Sequence, residues 1–163
     1  MIIFLFLILS EYGFSMVIDK EKDINFDIKE IDEIVNKGGK YFLDIGCGIG
    51  LYSLYALSKG MNVICFEPVL EDLEVLVISL ELNPQFLDKI IIYEFGLSDI
   101  LKDSKDNYRL APIDSFLNEL PHFDLIKMNS YNSDEIFQGG EKFFSIHKNT
   151  LILLISTPMK DYL

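Results

Sequence analysis

The segment from Tyr41 to Pro68, YFLDIGCGIGLYSLYALSKGMNVICFEP, constrains the fold of this chain more than any other. A short apolar run ends at Asp44 and passes into a turn holding Gly46, Cys47, Gly48, Ile49 and Gly50. An amphipathic helical stretch follows, then a second apolar run that ends at Glu67, 21 residues after Gly46. Strand, tight turn, helix, strand, acid is the order in which doubly wound α/β domains hold an adenosine moiety. Glycines in the turn let backbone approach a ligand with no Cβ in the way. An acid at the tip of the second strand can accept hydrogen bonds from both ribose hydroxyls.

Two cofactors use that layout, and the turn helps to separate them. A dinucleotide site favours G-x-G-x-x-G, with the pyrophosphate on the helix N-terminus. Here the turn reads D-I-G-C-G-I-G, with Asp44 two residues before Gly46. S-adenosylmethionine carries a sulfonium and an ammonium and no phosphate, so an acid at the loop entrance suits it and repels a pyrophosphate. The spacing of Asp44 and Glu67 therefore favours S-adenosylmethionine over a dinucleotide. A glycine turn with no ligand is the plain alternative.

With 163 residues the chain has room for one domain and one substantial core. Half of the residues are apolar and 25% are charged, which is the balance of a folding chain. A net charge of −12 argues against a nucleic-acid partner, which needs a basic surface, and none is expected. Cys47 and Cys65 lie outside any CxxC or Cys/His cluster, so no metal is expected and both read as buried thiols. His122 and His147 are isolated and read as incidental.

The N-terminal run IIFLFLIL, residues 2–9, is too short to span a bilayer. It reads as the apolar region of a short signal peptide, with Gly13 and Ser15 at the cleavage site, or as a buried strand or the remnant of a longer upstream region. The expected localisation is cytoplasmic, with the secretory pathway through residues 1–15 as the alternative. The expected organisation is an apolar segment over 1–18, a linker and helix over 19–39, and one domain over 40–163.

Periodicity places a helix over 27–36, with Ile28, Ile31, Ile34 and Val35 on one face, stopped by Gly38-Gly39. Strands are expected at 41–45, 62–66, 89–95, 123–128 and 150–156. Helices are expected at 51–58, 69–82, 113–120 and 133–146, the last weakened by Gly139-Gly140. Continuous apolar strands point to a parallel sheet covered on both faces. The fold class is α/β.

Several motifs in order carry a family resemblance over roughly residues 40–156. FLDIGCGIGLYSL, CFEP, FGLSD (95–99), APIDSFL (111–117) and LIKMNSYNSDEIFQGG (125–140) together resemble the FkbM-type methyltransferases. These are S-adenosylmethionine-dependent enzymes mostly assigned to O-methylation. The resemblance implies a Rossmann-like class I methyltransferase sandwich of three αβα layers, strand order 3-2-1-4-5, lacking the usual last two strands. A partner chain or second copy is expected at the sheet edge so left open. Lys127 matches the family's lysine, whereas Asn129 stands where Asp is expected, Tyr131 for Glu, Asn132 for Gly and Ser156 for Glu.

The resulting assignments give Gly46, Cys47, Gly48 and Gly50 the methionine-side pocket, and Asp44 an electrostatic role on the ligand's cations. Glu67 takes the ribose diol. Asp99 takes the adenine amino group by analogy with related methyltransferases, or is a turn acid. Lys127 and Asn129 are the acceptor-side candidates, with Lys127 alternatively a strand residue paired to an acid. Two functions fit: a methyltransferase acting on oxygen of a small molecule or sugar, or a catalytically inactive relative that binds cofactor or a protein partner.

Overall fold

The computed structural model describes residues 5–9, 14–19, 28–106 and 108–155. Gly13, residues 20–27 of the expected linker, and Ser156 lie outside them. The chain begins with an antiparallel pair, β1 (Leu5–Leu9) and β2 (Ser15–Asp19), followed by α1 (Lys29–Asn36). Next come β3 (Tyr41–Ile45), α2 (Leu51–Ser58) and β4 (Asn62–Phe66), bounded where the apolar runs and glycines predict. α3 (Leu70–Glu81) stops before Asn83-Pro84, where Pro84 opens a 3-10 turn, and β5 (Ile90–Tyr93) follows. Proline cannot donate the hydrogen bond that would continue the helix.

Three short strands come next: β6 (Gly96–Leu97), β7 (Lys102–Asp103) and β8 (Arg109–Ala111). They form a separate small sheet in the order β6-β8-β7 that the sequence does not announce. The helix expected at 113–120 contracts to a 3-10 turn over Ile113–Phe116. β9 (Leu125–Met128) then leads to α4 (Ser133–Gln138), α5 (Glu141–Ile146) and β10 (Leu151–Leu154). The single helix expected at 133–146 is thus two. It breaks at Gly139, where a Cβ would stand 2.0 Å from the Ser98 carbonyl oxygen. The Asp114 carboxylate accepts the Lys142 and Phe143 N–H groups at 3.1 and 2.8 Å and so fixes the start of α5.

The main sheet has five parallel strands in the order β10-β9-β3-β4-β5, which is the expected 3-2-1-4-5 read from the opposite edge. Strand alternation sends Phe42, Val63, Cys65 and Leu125 into one core with α1, α2 and α3. Leu43, Ile45, Ile64, Phe66, Ile126 and Met128 enter the other core with α4 and α5. The result is the three-layer αβα sandwich. β10 forms one sheet edge, with Leu151 and Leu154 exposed.

The first core extends beyond the expected domain boundary at residue 40. Phe14, Met16 and Ile31 are buried in it. Asn83 locks the antiparallel pair down: Ser15 N–H donates to its Oδ1 at 2.9 Å, and its Nδ2 donates to the Ser15 carbonyl at 2.6 Å. His147 is structural and not incidental. Its buried Nε2 accepts the Phe123 N–H at 3.1 Å, and Nδ1 lies 2.9 Å from the Phe143 carbonyl oxygen. The proton must then be on Nδ1, which makes the ring neutral. Among the described residues no helix is long and apolar enough to cross a membrane.

Candidate functional site

At the carboxyl ends of β3 and β4 the chain makes three left-handed glycines in five residues: Gly46 at φ 70°, Gly48 at 54° and Gly50 at 85°. Gly46 and Cys47 both donate N–H to the Phe66 carbonyl, at 2.9 and 3.3 Å, and tie the turn to β4. A Cβ on Gly46 would lie 2.1 Å from the Asn129 carbonyl oxygen, so the turn and the end of β9 approach backbone to backbone. A Cβ on Gly50 would strike Leu76 at 2.3 Å, which seats α2 against α3.

Glu67 is the acid at the tip of β4. Its two oxygens accept the Gly48 and Val69 N–H groups at 2.7 and 2.9 Å. Burial pushes its carboxyl above the ordinary range; the Val69 and Gly48 hydrogen bonds oppose that, and the Asp72 and Asp44 charges add to it. Each carboxylate oxygen retains a second lone pair, so Glu67 can still accept from a ligand.

A cavity of about 280 Å³ opens here, near the lower end of small-molecule sites at roughly 300 Å³. Gly46, Gly48, Glu67 and Asp72 line one side. Asn129, Ser130, Tyr131 and Asn132 form the facing wall, and Phe66, Leu97, Leu110 and Ile136 supply apolar surface. Among the described residues, no Lys, Arg or His side chain lines the cavity. Burial, and after it the charges of Glu71, Asp106, Glu67 and Asp72, push the Tyr108 hydroxyl up. Carboxylates without a neighbouring cation in the lining favour a cationic ligand over an anionic one.

The expected site residues divide sharply. Gly46, Gly48, Glu67 and Asn129 line the cavity, whereas Asp44, Cys47, Gly50, Asp99 and Lys127 are absent from its lining. Asp44 is fully buried with Oδ1 2.8 Å from Lys127 Nζ, and Oδ2 accepts the Ser53 hydroxyl at 2.7 Å. Both of its oxygens are thus paired within the protein. Lys127 also donates to the Gly46 carbonyl at 2.9 Å, the arrangement of a strand residue paired with an acid. Both residues occupy matching positions of adjacent strands and point to the α2 side.

Cys47 is a buried free thiol, pushed well up by a hydrogen bond with Cys65 and then by burial. Gly50 acts through its turn geometry. Asp99 faces Lys102 at 3.1 Å, which holds its carboxyl below the usual range, so it behaves as the turn acid. Asp72, Leu97, Leu110 and Ile136 are lining residues that sequence reasoning missed. Asp72 carried a usable signal, as an acid in the first turn of the helix that follows Glu67.

No protein-family model matches the sequence, and no curated protein does. Solved structures do match. The chain is similar to the methyltransferase FkbM of Methylobacillus flagellatus KT, with 24% identity over 68% of this chain and 31% of that one, TM-score 0.56. It is similar to a SAM-dependent methyltransferase of Agrobacterium tumefaciens, with 11% identity over 96% and 54% of the two chains, TM-score 0.65. A third likeness is to the tRNA (uracil-54, C5)-methyltransferase of Pyrococcus abyssi in complex with S-adenosyl-L-homocysteine, with 14% identity over 94% and 35%, TM-score 0.55. The chain spans about a third to a half of the length of these proteins. The likenesses establish the fold: this is the Rossmann-like αβα sandwich of class I methyltransferases.

Proposed function

We propose that the protein binds S-adenosylmethionine in this cavity and donates its methyl group to a small-molecule acceptor, an oxygen nucleophile of a metabolite or sugar. One observation carries the reading: a left-handed glycine turn beside a buried acid at the end of β4, in a cavity with no cationic lining. Glu67 would hold the ribose hydroxyls through its remaining lone pairs. Backbone around Gly46 and Gly48 would take the methionine end, with Asp72 as the acid nearest its cations. Pro68, Leu97 and Leu110 offer apolar surface for the base. When bound, the cofactor supplies an electrophilic methyl on a sulfonium. Two buried free cysteines support a reducing, cytoplasmic setting.

The facing wall favours a second reading, a cofactor binder without turnover. Asn129, Ser130, Tyr131 and Asn132 include no group that accepts a proton readily near neutral pH. Lys127, the remaining polar candidate on β9, is engaged by Asp44.

Titration calorimetry with S-adenosylhomocysteine and with NAD tests the cofactor. Binding of the first and not the second is expected. Glu67→Ala should weaken it by about 1–3 kcal/mol by leaving two hydroxyls unpaired. A folded protein that ignores S-adenosylhomocysteine at millimolar concentration defeats the reading. A labelled-methyl assay against cell extract then separates enzyme from binder.

A further inference from the structure

The wall that faces the glycine turn is tied to the small sheet through a side chain outside the cavity lining. Glu135, on α4, receives three donors on one oxygen. Lys102 Nζ lies 2.9 Å from Oε2, Ser98 Oγ 2.7 Å and Asn132 Nδ2 3.3 Å. These donors come from three places in the chain: the β7 strand, the end of β6 and the wall itself. Asn132 also donates to the Leu97 carbonyl at 2.9 Å, and the Ser130 hydroxyl donates to Asn132 Oδ1. Leu97, Ser130 and Asn132 all line the cavity.

The geometry requires an anchor at this point. α4 has only six residues, too few to hold itself by helix formation alone. Its far end is fixed by Gly139 packing on the Ser98 backbone. Its near end carries the wall, and Tyr131 in the wall is 75% exposed. Glu135 stands three residues after Asn132, the residue before the helix, where a glutamate can reach back toward the helix start. Here it reaches the Asn132 side chain, while Lys102 and Ser98 fix it from the small sheet.

We propose that Glu135 is the positioning residue of the site, locking residues 130–132 onto the β6 edge and so setting the width of the cavity across from Glu67. Lys102 is its counterion. The cofactor half of this statement rests on the reading above; the locking of the wall does not.

The test uses the full chain, which has no tryptophan, with Tyr131→Trp as a fluorescent reporter. Time-resolved fluorescence anisotropy reads wall mobility, and calorimetry with S-adenosylhomocysteine on reporter-free chains reads the site. Glu135→Gln keeps the side-chain size and removes the charge; Lys102→Met removes the counterion. Each is expected to raise the amplitude of the fast local decay about twofold and to weaken S-adenosylhomocysteine binding about tenfold. Asn83→Ala, a destabilising change at the N-terminal strand pair, should alter neither and controls for general loosening. An unchanged anisotropy decay in both variants overturns the proposal, and so does a loosened wall with unchanged affinity. A parent that binds no S-adenosylhomocysteine, with the anisotropy result intact, removes the cofactor reading and upholds Glu135 as the anchor of the wall.

Discussion

Lys127→Met probes the ion pair at the centre of the sheet. The Lys127 and Asp44 side chains are 2% and 0% exposed and lie 2.8 Å apart. The ammonium also holds the Gly46 carbonyl at 2.9 Å, and the carboxylate's other oxygen accepts the Ser53 hydroxyl at 2.7 Å. Methionine keeps most of the stem but strands a buried carboxylate with one hydroxyl as donor. Breaking a buried pair from one side costs about 3–5 kcal/mol. Asp44→Asn combined with Lys127→Met removes both charges and keeps an acceptor for Ser53, so the double variant should lose only about 1–2 kcal/mol. Urea denaturation followed by circular dichroism measures these differences at common slope, and the single variant should melt roughly 10 °C lower. Hydrogen exchange at Gly46 and Cys47 should quicken in it, because their bonds to Phe66 share the turn that Lys127 holds. A Lys127→Met protein within about 1 kcal/mol of the parent, or a double variant no better than the single, refutes the reasoning.

Three further outcomes follow from the same geometry. Burial lowers the His147 pKa below its ordinary 6.5, so the folded state stays neutral where the unfolded state takes a proton. Its contribution is complete above that value and is lost as pH falls through it, by about 1.4 kcal/mol per pH unit; His147→Phe should flatten that slope in denaturation curves measured across the range. Gly46→Ala places a methyl in a left-handed position against the Asn129 carbonyl, and should lower stability by more than about 1 kcal/mol and S-adenosylhomocysteine affinity with it; parent-like melting and binding would contradict the close approach. Asn83→Ala removes both hydrogen bonds to Ser15 and should cost about 2 kcal/mol, with exchange protection at Ser15 and Met16 lost first.

The elements around the site were legible because each carries its own local signal. YFLDI and NVICF are continuous apolar runs of the kind a doubly covered parallel strand needs, and glycines punctuate both sides of α2. The order β10-β9-β3-β4-β5 follows once those runs alternate with helices. The β6-β8-β7 sheet was illegible because strands of two or three residues, such as Lys102–Asp103, are too short to repeat a two-residue alternation. The pairing of Asp44 was illegible for a different reason. Its position beside the turn is a local fact, but its partner Lys127 lies 83 residues away and meets it only through strand register. Glu67, by contrast, was legible because its partners Gly48 and Val69 lie within the same β3-α2-β4 unit or just after it.

The two sides of the cavity are therefore held by different physics. The glycine turn is fixed by backbone contacts and a fully buried ion pair, so a change there is felt by the whole sheet. The facing wall is fixed by Glu135, whose side chain is 43% exposed, and by Lys102 at 32%, where water screens the charges and the contribution to global stability is small. Tyr131 adds little packing, and Asn129 is tied into the fold by its N–H to the Ile45 carbonyl at 2.9 Å and by its own carbonyl against Gly46. Those backbone contacts are indifferent to which side chain position 129 carries. The fold can thus keep its cofactor-side turn while the wall changes its chemistry at little cost in stability. That asymmetry between turn and wall is the physical reason binding and turnover must be measured separately in this protein.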